Sequence, residues 1–319
     1  MVLMRLRQAD VMEDPVNGNN MMQAHLDLIT HCANHRGPHP AHYANLSAAF
    51  TSIADHVAEG FIENMVRNIQ YYQAGPDEIY GLIPHMYAQP LESMGDFQLL
   101  AKFYDAYDQY YHGLESTLRL TATAWDQYVL SLPCAQSLFN RETYLLNKLA
   151  FYIEQTGATS ILDVACGDGR LLKKLMTRFP HLRVTGFDHD PLAIQRAKWT
   201  ATYQEQYHQV NALETLPHCE ADIVISAGLF DYLSDALGAR LIRQLHQRYH
   251  PRWMVMANLT HHDSASLMSL LNWRLQYRTP EILLHMSQSA VAPLTEIYHS
   301  AVEQEPLGIN LFLIMEHLC

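Results

Sequence analysis

The segment Ile161 to Arg170, ILDVACGDGR, limits the fold of this chain more than any other. An apolar, β-branched run passes through Gly167 and Gly169 into a helix-forming stretch, which spells a strand, a tight loop and a helix start. Glycine in such a loop removes Cβ atoms that would collide with a ligand, and the helix N-terminus behind it favours an anionic group. The chain around this unit keeps the same rhythm. Strands are predicted over 160–164, 183–187, 207–210, 222–226 and 253–257, alternating with helices over 170–178, 191–203 and 236–248. A helical stretch over 264–277 comes next, and two closing runs, one from Glu296 towards Val302 and one over 310–315, read as a β-hairpin through Pro306 and Gly308. The expected architecture is a doubly wound α/β sheet of seven strands whose last strand is antiparallel.

The region before this sheet reads as helical. Leu46, Phe50, Ile53, Val57, Phe61, Met65 and Ile69 recur every three to four residues, the spacing of one buried helical stripe. Gly75-Pro76-Asp77 punctuates the chain before a second helical pattern through Phe97, Leu100, Phe103, Tyr104, Tyr107 and Tyr111. A third helix is predicted over 114–129; Pro133 interrupts it, and a fourth runs from about Gln136 to Gly157, which suits a left-handed C-terminal position. The division expected is a helical N-terminal domain over 1–130 and a ligand-binding catalytic domain over 131–319. The first would act as a lid, an acceptor-pocket wall or the surface of a homodimer. Its aromatic stripe of Phe103, Tyr104, Tyr107, Tyr110 and Tyr111 reads as core packing first.

Charge and cysteine usage narrow the classes. With 21 Lys and Arg against 33 Asp and Glu, the net charge of -12 offers no field for a phosphate backbone, so no nucleic acid partner is expected. The five cysteines are scattered without a disulfide framework, and neither a secretory signal nor a membrane span is visible, so a soluble, cytoplasmic protein is expected. His31, Cys32, His35, His39 and His42 invite a zinc reading but match no standard ligand spacing, and no metal is expected.

Further ligand-binding signals lie within and after this unit. Asp163 near the end of the first strand is placed to receive an ammonium group. Asp188 ends the second strand, where a carboxylate can accept from both hydroxyls of a ribose, and His189 beside it can pack on a base. Asp190-Pro191 is a helix N-cap followed by a first-turn proline, a structural pair. A nicotinamide dinucleotide fingerprint would need a small residue three positions after Gly169, where Leu172 stands. In order and spacing these segments resemble the class I S-adenosylmethionine-dependent methyltransferases, with Ala165 in place of the family's first glycine. The resemblance implies S-adenosylmethionine as cofactor and S-adenosylhomocysteine as product. It places the cofactor against Asp163, Ala165, Cys166, Gly167, Gly169, Asp188, His189, Asn211, Ala212 and Ala227, with Asn211-Ala212 standing where the family has Asp-Ala.

The stretches beyond the fourth and fifth strands bear on the methyl acceptor. Ser226 to Tyr232, SAGLFDY, lacks the Asp/Asn-Pro-Pro-Tyr/Phe signature of base and amino-group methylators, and no carboxylate cluster for magnesium assembles. The segments SAGLFDYLSD, LLNWRLQYRTPEIL and LSLPCAQSLFNRETYL resemble a bacterial family related to 3-hydroxypalmitate methyl ester synthases, over roughly residues 125–319. That resemblance implies O-methylation of a fatty or polyketide-like carboxylic acid, which is ionised at neutral pH and needs no general base. Arg141, Arg274 and Arg278 would then pair with the acceptor carboxylate, while Tyr232, Asn258 and Tyr277 orient it. Arg274 and Arg278, four apart on the predicted helix, read equally as a solvated pair. In a second reading His261 or His262 serves as base for a hydroxyl or amine of a natural-product scaffold. A third, of another class, is a cofactor-binding module without turnover.

Overall fold

The computed structural model describes residues 100–101, 103–105, 107, 130–199, 201–265, 268, 273, 275–292 and 297–318. The chain divides into two compact units, residues 1–136 with 263–274, and residues 137–262 with 275–319. In the first unit, Phe103 is buried and Tyr104 and Tyr107 are half-buried. The expected helices over 46–69 and 114–129, Tyr110, Tyr111 and the His31 to His42 cluster lie outside the described residues.

The second unit is built on a seven-stranded sheet. In chain order its elements are α1 (Pro133–Thr156, begun in the first unit), β1 (Ser160–Val164), α2 (Arg170–Arg178), β2 (Arg183–Asp188), α3 (Pro191–Trp199), β3 (Glu205–Gln209), β4 (Ile223–Ser226), α4 (Asp235–Tyr249), β5 (Trp253–Leu259), α5 (Pro280–Val291), β6 (Ile297–Gln304) and β7 (Asn310–Leu318). The strand order is β3-β2-β1-β4-β5-β7-β6. Pairing is parallel from β3 to β5, and β7 runs antiparallel to both β5 and β6. Every residue of β1 and β4 is buried, as strands covered on both faces require.

Strand periodicity sorts the core into two layers. Ile161, Ile223, Ile225, Val255 and Phe312 pack with Leu149 and Ile153 of α1, Leu172 and Leu175 of α2, and Ile194 of α3. Their neighbours Leu162, Val164, Val224, Met254, Met256 and Leu313 pack with Leu241 and Leu245 of α4 and with Leu283 and Met286 of α5. Because the order reverses at β1 and β4, the loops leaving those two strands diverge to opposite faces and open a crevice at their carboxyl ends. A carboxylate secures the hairpin at that edge. Glu305, almost wholly buried, accepts from the amides of Leu307, Ile309 and Asn310 and from Asn140 Nδ2 of α1.

Several boundaries differ from the sequence reading. Pro133 opens α1 instead of interrupting it, because a first-turn proline has no amide to lose there. Gly157 does take the left-handed conformation, φ +66°, and its amide bonds Ile153 O at 2.9 Å. The helix after Asp190 stops at Trp199, and β3 starts at Glu205. Residues 275–279 are not helical, so Arg278 does not stand on the helix expected there, and α5 is an element beyond the sequence expectation. Its start is nevertheless spelled out by the residues: Thr279 caps it by accepting from Ile282 N at 3.4 Å, and Pro280 takes the first turn.

Candidate active site

The loop between β1 and α2 has an unusual backbone. Ala165, Gly167 and Gly169 all have positive φ, at 64°, 55° and 71°. Ala165 therefore occupies a conformation that suits glycine, which explains on steric grounds why a glycine is the expected residue there. The turn is closed by Gly169 N on Cys166 O at 3.0 Å and fastened to β2 by Cys166 N on Phe187 O at 2.9 Å. Gly169 is required for a different reason from ligand clearance: a Cβ there would stand 2.6 Å from the Tyr207 ring of β3. Burial pushes the Cys166 thiol well up.

Asp188 supports the same loop. Its Oδ2 accepts from Gly167 N at 2.9 Å and its Oδ1 from Asp190 N at 2.9 Å, so one carboxylate spans the loops after β1 and β2. His189 projects outward, with Nδ1 3.4 Å from Asp188 Oδ1. Asn211 spends both ends of its amide in a local turn, donating to Glu214 Oε1 at 2.9 Å and accepting from Leu213 N at 3.1 Å. Ala212 is buried, and Ala227 is half-buried against the α1 to α3 layer.

Asp163 is the most perturbed carboxyl of the crevice. It is 2% exposed, and its Oδ1 has no hydrogen-bond partner among the described residues. Burial, reinforced by Asp188 and opposed by Arg141, pushes its pKa up to about 7. A buried carboxylate oxygen without a donor fits an incoming cationic group such as an ammonium. Arg141 reaches this place from α1. It is 4% exposed, and its Nη1 lies 3.8 Å from where a Cβ on Gly228 would stand, just beyond β4.

Arg141 has a second acidic neighbour in Asp231, a residue that no sequence motif singles out. It sits in the 3-10 turn Leu229–Tyr232 and is buried. Burial raises its pKa to about 6 against the opposing Leu259 amide, Arg141 and Arg278. Its Oδ1 accepts from Leu259 N at 2.7 Å, and its backbone carbonyl accepts from Gln276 N at 2.7 Å. An acidic residue one turn after a sheet strand is the available signal, hidden within SAGLFDY.

The remaining acceptor candidates divide. Arg278 turns inward, donating to Asp235 Oδ1 at 2.8 Å, to Phe230 O at 2.6 Å, to Leu233 O and to Asn258 Oδ1. Asn258, fully buried in β5, donates to Leu259 O and Gln276 O at 2.8 and 2.9 Å. These two residues, expected at the acceptor, form a strut between β5, the 3-10 turn and residues 275–279. They are drawn inward because the buried carbonyls need donors. Tyr232 is 42% exposed. Tyr277 meets His261 and His262 edge-on, with ring centroids 5.7 and 5.4 Å apart, so these three do come together. Arg274 lies outside the described residues.

Residues 161–252 match the family model described as a methyltransferase domain. Among solved structures, a possible exported protein from Bordetella parapertussis is similar over 85% of this chain and 97% of its own, at 15% identity and a TM-score of 0.60. The mitomycin 7-O-methyltransferase MmcR is matched over 95% of this chain and 96% of its own, at 15% identity and a TM-score of 0.48. The plantazolicin methyltransferase BpumL, in complex with a monoazolic desmethylPZN analog and SAH, is matched over 69% and 99%, at 13% identity and a TM-score of 0.46.

Proposed function

We propose that this chain, whose residues 161–252 match a methyltransferase domain, is a class I S-adenosylmethionine-dependent methyltransferase that methylates an oxygen of a small organic acceptor, with a carboxylate as the nucleophile. One observation carries the choice of nucleophile: a buried guanidinium, Arg141, stands beside Gly228 at the mouth of the crevice. An ionised carboxyl needs orientation and a counter-charge but no base, and Arg141 supplies both.

When bound, the cofactor supplies an electrophilic methyl on a positively charged sulfur. The chain's residues then have separable tasks. Asp163 offers its unpartnered Oδ1 to the cofactor's ammonium. Asp188 has each oxygen on one backbone amide, which leaves lone pairs for the ribose hydroxyls. The left-handed turn at Gly167 keeps the backbone close to the ligand without a Cβ in the way, while Gly169 leaves room for the Tyr207 ring behind the loop. Arg141 would hold the acceptor carboxylate so that one of its oxygens receives the methyl group by direct displacement. No proton moves in that displacement. The positive charge of the sulfur and the negative charge of the acceptor cancel, which favours a site sheltered from water.

A second reading rests on the ring group of His261, His262 and Tyr277. There an imidazole takes the proton of an acceptor hydroxyl before or during transfer. The two readings differ in product chemistry. Full-length protein, supplied with methyl-labelled S-adenosylmethionine and parallel sets of long-chain acids, aromatic acids and phenols, is expected to yield extractable label that mild alkali releases as methanol. Alkali-stable label on phenols alone contradicts the carboxylate reading and supports the second.

A further inference from the structure

The ring of Tyr207 packs against the loop that follows β1. Tyr207 belongs to the edge strand β3 and is 3% exposed, while Gln206 and His208 on either side of it are open to solvent. Two glycines make room for the ring. A Cβ added at Gly169 of the loop would stand 2.6 Å from it, and one added at Gly186 of β2 would stand 2.7 Å from it, both far inside ordinary carbon contact. The phenol donates to Glu205 Oε2 at 2.7 Å, and Glu205 Oε1 accepts from Thr202 N at 2.9 Å, so the ring is tethered to the start of its own strand. Lys173 of α2 stands over the ring, with Nζ 5.8 Å from the centroid, and donates to Asp168 O in the loop at 3.2 Å. From β2, Asp188 Oδ2 and Phe187 O fasten the same loop through Gly167 N and Cys166 N. These bonds draw the loop towards the sheet, and the ring limits how closely it can approach.

We propose that Tyr207, tethered by Glu205, is a positioning residue whose ring sets the height of this loop over the sheet and so the place where the amino acid end of S-adenosylmethionine is held. The proposal rests on the cofactor reading above and deepens it. The two ends of the cofactor depend on different parts of the chain. Its amino acid end meets the loop backbone and the start of α2, whereas its ribose meets Asp188, which keeps its bond to Asp190 N however the loop lies. A residue that acts through the loop height therefore governs one end and spares the other. Without the ring, the loop settles lower or moves over a range of heights, and the amino acid end loses a preorganised seat.

The test titrates the full chain calorimetrically with S-adenosylhomocysteine and, separately, with methylthioadenosine, which keeps the nucleoside and lacks the amino acid end. Tyr207→Leu removes the ring and keeps an apolar side chain. It is expected to weaken S-adenosylhomocysteine about tenfold while methylthioadenosine stays within about twofold of wild type. A merely structural ring would weaken both ligands alike as the melting temperature falls. That result, or unchanged affinity for both, overturns the proposal and leaves the methyltransferase reading standing. Gly169→Ala supplies a second arm, because its methyl group meets the ring in wild type and vacated space in Tyr207→Leu, while the left-handed φ is common to both and cancels. Its cost in S-adenosylhomocysteine affinity is expected to be about tenfold in wild type and no more than about twofold beside Tyr207→Leu. An equal cost in both backgrounds overturns the proposal, and this arm decides alone if methylthioadenosine binds too weakly to compare. Where Tyr207→Leu does not fold, Tyr207→Phe keeps the ring and cuts the tether to Glu205. A loss of about threefold for S-adenosylhomocysteine, with methylthioadenosine unchanged, is then expected, and wild-type affinity for both sinks the proposal. Wild-type chain that binds neither ligand overturns the methyltransferase reading and the proposal together.

Discussion

Burial lifts the Asp163 carboxyl to a pKa of about 7, with Asp188 adding to the shift and Arg141 opposing it. Because the folded value lies above that of the unfolded chain, the protonated form is the one that folding favours. The stability it contributes is fully present below the unfolded pKa and is lost as pH rises through about 7. A bound ammonium reverses that penalty by pairing with the ionised form. The rise in melting temperature caused by S-adenosylhomocysteine is therefore expected to be larger at about pH 7.5 than at about pH 6, and scanning calorimetry at the two values checks it. A shift that is equal at both, or larger in acid, would contradict the placement of the ammonium on Asp163. Two positions away, Ala165 keeps a φ of 64° that costs an L-residue about 1 kcal/mol or more. Ala165→Gly is expected to raise stability by up to about 1 kcal/mol in denaturant titration, the relieved strain being partly offset by the freer unfolded chain. A loss of stability would show that the Ala165 methyl group makes contacts worth more than the strain.

At the scale of elements, the strut formed by Asn258, Arg278 and Asp235 joins β5 and the 3-10 turn to residues 275–279. Arg278→Met is expected to lower stability by about 3 to 5 kcal/mol, since it strands two buried carbonyls and the Asn258 amide oxygen. Denaturant titration measures the loss, and normal stability with a raised KM for the acceptor would instead return Arg278 to the acceptor site. This element also shows where sequence reading reaches its limit. The strands and helices from β1 to β5 are legible because period and β-branching agree with the fold, and the ends of β1 and α2 coincide with those read from the residues. The predicted helix over 264–277 extends past its support because Leu275, Tyr277 and Arg278 continue a helical spacing by chance, while the Thr279-Pro280 cap already marks the next helix. Nothing in a linear pattern tells whether an arginine faces a substrate or a set of carbonyls contributed by a turn some fifty positions earlier. Asp231 is illegible for the same reason, since its meaning lies in Arg141 and Leu259, which only the folded sheet brings to it.

On the scale of the whole molecule, the order β3-β2-β1-β4-β5-β7-β6 gathers the candidate site residues at one edge of the sheet. Asp163, Asp188, the loop with Gly167 and Gly169, the turn with Asp231, and His261 and His262 all lie at or just beyond carboxyl ends of parallel strands, while Arg141 arrives from α1. Among the described residues no helix is long and apolar enough to cross a membrane. The central claim, that this edge transfers a methyl group from S-adenosylmethionine, is tested most directly by tracking S-adenosylhomocysteine and labelled product together in wild-type and Asp188→Ala protein. The wild type is expected to form both in equal amounts. Asp188→Ala is expected to lose about ten- to a hundred-fold in cofactor affinity, because the loop after β1 and the ribose lose the same carboxylate. A wild-type chain that binds no S-adenosylmethionine, or an Asp188→Ala protein with unaltered affinity, would contradict the account.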